Sequence, residues 1–122
     1  MKIFGNILSL FESIEEYWSP RIIAEVNNDY IKIAKIKGEI VGHDHENEDE
    51  MFYVLKGGFD LHLEEEIIHL NEGDFYVVKK GIKHKPVADK ECWIMLIETK
   101  ETKHTGRIKT ELTKTVEDQL RY

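Results

Sequence analysis

At 122 residues the chain has the length of one domain, and 41% hydrophobic residues suffice for a single core. A formal net charge of −7, with scattered basic residues, repels phosphate backbones and argues against nucleic acid as a partner. The single cysteine, Cys92, excludes an intrachain disulfide and, in an apolar run beside Trp93, reads as a buried thiol. That usage fits the cytoplasm. Gly5, Asn6 and Ser9 break the first apolar run, acids follow it, and no stretch approaches the ~18 apolar residues of a membrane span, so neither a signal peptide nor a membrane partner is expected.

Along the chain, Ile7, Leu10, Phe11, Ile14 and Trp18 recur at helical spacing with acids between them. This predicts one amphipathic helix within residues 1–20, ending near Pro20 and covering an open end or edge of the body that follows. From 21 to 98 the period shortens to that of strands. Segments 22–26 and 30–37 flank the turn-rich Asn27-Asn28-Asp29, and 51–56 and 59–63 flank Gly57-Gly58, a two-residue hairpin signal. Segments 66–70 and 74–78 flank Asn71-Glu72-Gly73, Lys79-Lys80-Gly81 makes a further turn, and 92–98 is an apolar strand. Short strands without intervening helices predict an all-β sandwich or barrel. The tail from 99 to 122 is rich in Lys, Thr and Glu, consistent with a frayed end, an edge strand or an arm on a partner subunit.

The chemistry concentrates in His43-Asp44-His45-Glu46-Asn47-Glu48-Asp49-Glu50. Side chains two apart on an extended strand share a face, so His43 and His45 can converge on one ion. Glu50 can add a carboxylate at the start of the next strand, and His84, on the turn through Gly81 and Pro86, can close the shell. Three imidazoles and a carboxylate suit Zn, Mn, Fe, Ni or Co, whereas a structural zinc site would favour thiolates. A lone His-X-His in an acidic loop is often no more than a solvated turn. His62, opposite in parity to Leu61 and Leu63, is expected to face solvent; His69 and His104 have no partner at ligand spacing.

The spacing resembles the two motifs of the cupin superfamily. In the first, Gly38 precedes His43 and His45, then come Glu50 and Gly57; in the second, Gly73 leads to Gly81 and His84. The likeness spans residues 38–88, with one residue fewer than usual between Gly38 and His43. Lys79 stands at the motif's proline position and Ala88 at its asparagine. The resemblance implies a single cupin barrel (a double-stranded β-helix, jelly-roll-like) over 21–98, with a short N-terminal helix. It also implies a divalent transition metal held by His43, His45, Glu50 and His84, and a homodimer. The helix, Trp18-Ser19-Pro20 and the tail with His104 are similar to small one-barrel cupins labelled as related to mannose-6-phosphate isomerase.

Two functions follow as expectations. In one, the ion has two open positions and acts on a small oxygen-rich metabolite in isomerase or dioxygenase chemistry. The catalytic acid or base is then unassigned, with Tyr30, Tyr53 and Lys32 candidates by type alone. In the other, the barrel is a non-catalytic module for a small ligand or sugar, with a structural metal. Phosphate chemistry is disfavoured by three arginines and the lack of a Gly-rich loop.

Overall fold

The computed structural model describes residues 3–40, 48–100 and 119. A short helix α1 (Ile7–Leu10) runs into a 3-10 turn (Phe11–Ser13). Seven strands follow: β1 (Arg21–Val26), β2 (Asp29–Glu39), β3 (Glu50–Lys56), β4 (Gly58–Leu63), β5 (Ile67–Asn71), β6 (Phe75–Val78) and β7 (His84–Thr99). Every pairing between these strands is antiparallel. The all-β architecture is the expected one.

β7 is the spine. One edge pairs with β2 from Asp29↔Thr99 to Glu39↔Val87. The other edge is shared: β3 takes residues 93–98 and β4 takes 84–87. Between these two stretches Asp89, Lys90 and Glu91 are exposed, and the β2 register shifts. Pro86 is tolerated because, among the described residues, β7 is paired on one edge only at that point.

Gly57-Gly58 is not the hairpin its sequence suggests. β3 and β4 do not pair with each other; they follow one another along β7, and β6 and β5 follow one another along them. Residues 50–63 and 67–78 therefore form one long hairpin, tipped at Glu64-Glu65-Glu66 and bent where Gly73 N–H donates to Val54 O and Val54 N–H to Asp74 O. Gly57 is the corner of the bend. It has φ +84°, and a Cβ there would lie 2.9 Å from Glu91 O, so glycine meets both a backbone and a packing demand.

Alternation sorts the side chains into two cores. Inward-facing Ala34, Ile36, Phe52, Val54, Phe59, Leu61, Leu70, Cys92 and Ile94 fill the barrel. Opposite parity places Ile33, Leu55, Trp93 and Met95 on the outer face of the β1–β2–β7–β3 sheet, under Phe11 and Ile14. The N-terminal segment thus covers a face of the barrel, not an end or edge. Phe11 stacks on Trp93 at 4.6 Å, and Trp93 Nε1–H and Tyr17 O–H both donate to Glu91.

The helix is also shorter than its periodicity suggests. Asn6 caps it through Ser9 N–H, but Ile14 is already extended. Tyr17 then pairs in parallel with Lys35, and Trp18 N–H donates to Lys35 O. Two further helical turns would forfeit these sheet contacts, and so short a helix has little intrinsic stability to oppose them.

Gly57→Ala should therefore cost about 2–4 kcal/mol, combining left-handed strain with overlap on Glu91 O. Gly73→Ala, equally left-handed but with nothing within 4 Å, should cost about 1–2 kcal/mol. Urea unfolding of both variants tests this; equal losses would remove the close-packed corner from the account.

Candidate functional site

Among the described residues, four ionisable side chains are buried in the apolar interior: Lys32 on β2, Glu50 at the start of β3, and His84 and Glu98 at opposite ends of β7. Glu50 and Glu98 are cross-strand partners, so their carboxyls face each other. Lys32 Nζ lies 2.6 Å from Glu98 Oε1, with both side chains almost fully buried. An unpaired charge at this depth would cost several kcal/mol, which is why the two groups are placed together. Burial pushes the Glu98 carboxyl well above its ordinary range; the negative Glu50 adds to this, and Lys32 only partly opposes it. Burial also drives the Cys92 thiol up to about 12, which leaves it inert.

His84 opens β7 instead of sitting on a separate turn, because the ladder to β4 begins at Leu63↔His84. Its ring is oriented on two sides. Nδ1 lies 2.9 Å from Ile82 O, which can only accept, so Nδ1 carries the proton. Phe52 meets the ring edge-on at 5.8 Å. The remaining nitrogen, Nε2, is 3.2 Å from Glu50 Oε1. A neutral imidazole held this way turns a lone pair towards a carboxylate oxygen. Two such donors could share a cation, either a proton or a metal ion.

Thus the fold brings together two residues of the expected ligand set, Glu50 and His84, from 34 positions apart. His43 and His45 lie outside the described residues. Among the described residues, no three His, Cys, Asp or Glu side chains gather closely enough to hold an ion by themselves. The two that do meet are the right donors for one: a buried carboxylate and an imidazole nitrogen with its other nitrogen anchored, the usual support of a metal-binding histidine.

Beside Glu50 is a small cavity of about 40 Å³, walled by Trp18, Ile40, Phe52, Pro86 and Ile94. A larger groove of about 650 Å³ lies elsewhere, between Glu64-Glu65-Glu66 and Lys83, and includes neither Glu50 nor His84.

Of the other candidates, Lys32 faces inward but is engaged by Glu98. Tyr53, of opposite parity to buried Phe52 and Val54, is half-buried on the outer side of β3. Tyr30 lies under the Lys100 ammonium at 5.5 Å. His62 is half-buried. His69 does have partners, Asp60 on Nδ1 and Asn71 on Nε2, but the group is exposed. The Asp60 carboxylate, accepting from His69 Nδ1–H, raises the His69 pKa.

With this geometry in hand, comparison gives the family. The profile of the cupin domain matches residues 32–98, and the chain belongs to the cupin family. An uncharacterized protein of Bacillus subtilis (strain 168), YdbB, is 30% identical over 86 residues, covering 70% of this chain and 76% of its own. A crystal structure of a cupin-2 domain-containing protein from Shewanella frigidimarina superposes with a TM-score of 0.77 at 41% identity, covering 79% of this chain and 94% of that one. Protein NMB1881 from Neisseria meningitidis gives 0.72 at 26% identity, covering 79% and 98%.

The raised Glu98 pKa has a definite sign in stability. A carboxyl that binds its proton more tightly when folded stabilises the fold fully below its unfolded pKa and loses that contribution as pH rises towards its folded pKa. Glu98→Gln cannot ionise. In chelator-treated protein, its melting temperature should gain on the native chain's between pH 5 and pH 8. A difference independent of pH would contradict the shift.

Proposed function

We propose that the chain binds one divalent transition-metal ion inside the barrel through His43, His45, Glu50 and His84, and that the ion serves a reaction on a small ligand. The observation that carries this is the Glu50–His84 pair: a buried carboxylate oxygen 3.2 Å from an imidazole nitrogen whose partner nitrogen is engaged by Ile82 O. Four protein ligands would leave an octahedral ion two open positions, enough for two oxygens of a substrate. A bound ion supplies Lewis acidity and a template there, which suits isomerase or dioxygenase chemistry. The chain's own residues supply orientation: Ile82 O and Phe52 fix the His84 ring, and Glu98 flanks Glu50.

Sugar-phosphate isomerisation draws no support from the interior. Among the described residues the only arginine is Arg21, and its guanidinium donates to the Ser19 carbonyl and hydroxyl.

Elemental analysis of protein purified without an affinity tag should find one metal per chain. His84→Ala and Glu50→Ala should each weaken metal binding by at least about tenfold and leave a folded barrel, since most of the core is apolar. Stoichiometric metal retained in His84→Ala would make the ligand set wrong. Metal retained by the native chain with a large chelator-induced fall in melting temperature, and no ligand or turnover, would favour the structural-metal alternative.

Homodimerisation belongs to the same proposal. Among the described residues β6 pairs with β3 alone and leaves Phe75 62% and Val77 38% exposed, apolar surface of the kind an interface covers. Light scattering should give twice the chain mass, 28.8 kDa from 2 × 14.4 kDa. A monomer mass across the micromolar range would remove the dimer.

A further inference from the structure

We propose that the cavity behind Trp18 admits a ligand with a short apolar body and its oxygens confined to one end, and that Trp18 limits the length of that body. This rests on the preceding proposal only for what the oxygen end binds. The apolar body is argued from the walls alone.

Carbon dominates those walls. Trp18, Ile40, Phe52, Pro86 and Ile94 line an open-mouthed cavity of about 40 Å³, and Glu50 is the one ionisable residue on it among the described residues. Lys32 and Glu98, although nearby in the barrel, are not on it. A space of this size holds roughly three waters, or a body of a few carbons. A polyol would turn hydroxyls onto apolar side chains at every depth, and each one buried without a partner lowers affinity roughly tenfold.

Trp18 is the wall most firmly fixed by polar contacts. Its φ is +58°, a left-handed conformation that a bulky residue rarely adopts. Its backbone N–H donates to Lys35 O at 2.9 Å, and the neighbouring Tyr17 pairs with Lys35. Its indole Nε1–H donates to Lys37 O, also at 2.9 Å. The indole has one donor and no acceptor, and that donor is taken by main chain, so the ring offers only carbon to the cavity. Strained residues persist where the surroundings over-determine them, and here two hydrogen bonds from Trp18 to one stretch of β2 do so. The result is a rigid apolar plate close to the carboxylate that the ligand's polar end must approach.

The test uses straight-chain alkyl hydroxamic acids, whose chelating head is constant while the body grows from one carbon to five. Affinities are measured calorimetrically on zinc-loaded protein. In the native chain, affinity should rise about fourfold with each of the first one or two added methylenes and fall once the chain meets Trp18. Trp18→Phe and, independently, Ile40→Ala should move that fall one or two carbons later. A dihydroxylated counterpart of the best binder should bind at least about tenfold more weakly. The inference is overturned if the hydroxylated compound binds equally well, if no hydroxamate binds, or if both variants keep the native length profile. Zinc content is measured first on the same sample. If no zinc is held, the metal proposal fails separately, and the compartment is tested by xenon-129 NMR. A protein-specific xenon shift altered by Trp18→Phe would then support the apolar compartment; its absence would overturn it.

Discussion

Parity along β7 is the constraint on which the rest depends. The strand runs sixteen residues from His84 to Thr99, and its inward positions are His84, Pro86, Ala88, Cys92, Ile94, Leu96 and Glu98. All are even-numbered, so one register places both polar ends and the apolar middle inside the barrel. A slip of one residue would expose all seven and bury Trp93 and Met95, which already pack under the N-terminal segment. Three other strands take their positions from this one: β2 along one edge, and β3 and β4 in succession along the other. Glu50 faces inward because it stands opposite Glu98.

Placing four ionisable groups in such an interior is costly, and the way they are satisfied separates their roles. Lys32 and Glu98 lie 2.6 Å apart, but Lys32 Nζ and Glu98 Oε2 make no hydrogen bond among the described residues, so their contact offsets only part of the penalty of burying either alone. Glu50 and His84 are different. They meet at ordinary hydrogen-bond distance with one imidazole nitrogen already anchored, a geometry that accepts a cation readily. The two pairs touch through the facing carboxyls, so the raised proton affinity of Glu98 is partly a consequence of Glu50 being nearby. The Lys32–Glu98 contact joins β2 to β7, whereas Glu50 of the other pair lines the cavity bounded by Trp18 and Pro86.

Much of the fold was legible because strands alternate and left-handed turns favour Gly and Asn. Asn27, with φ +52°, marks the true hairpin between β1 and β2. Gly57 sent the same local signal for a different purpose. Its corner is set by β7, 34 residues later in the chain at Glu91, and short-range pattern cannot see that approach. The helix was overextended for a similar reason: residues 14–18 keep helical spacing, but pairing with Lys35 draws the chain into extended form. Pro86 read as the end of a turn, which concealed that β7 had already begun at His84. Of the site, Glu50 and His84 were visible as ligand-type residues at motif spacing, whereas Lys32 and Glu98 were not singled out as a pair. A signal for them existed. β2 is apolar at both parities, with Ile31 and Ile33 on one face and Ala34 and Ile36 on the other, so a lysine between them has no solvent-facing side to occupy.

That two-sided burial also bears on what the barrel can do. A sheet wetted on its outer face can adjust its strands to a ligand at modest cost. Here the outer face of β2 and β7 is covered by Phe11 and Ile14, with Trp93 held between the Phe11 ring, two lysine ammonium groups and Glu91. The N-terminal segment that supplies this outer cover continues directly to Trp18, whose contacts to Lys35 and Lys37 lie on the same strand as Ala34 and Ile36 inside. One short stretch of β2 therefore fixes the outer cover, the indole and the barrel lining together. Widening the cavity by backbone movement would disturb all three, which makes side-chain size at its walls the main determinant of what fits.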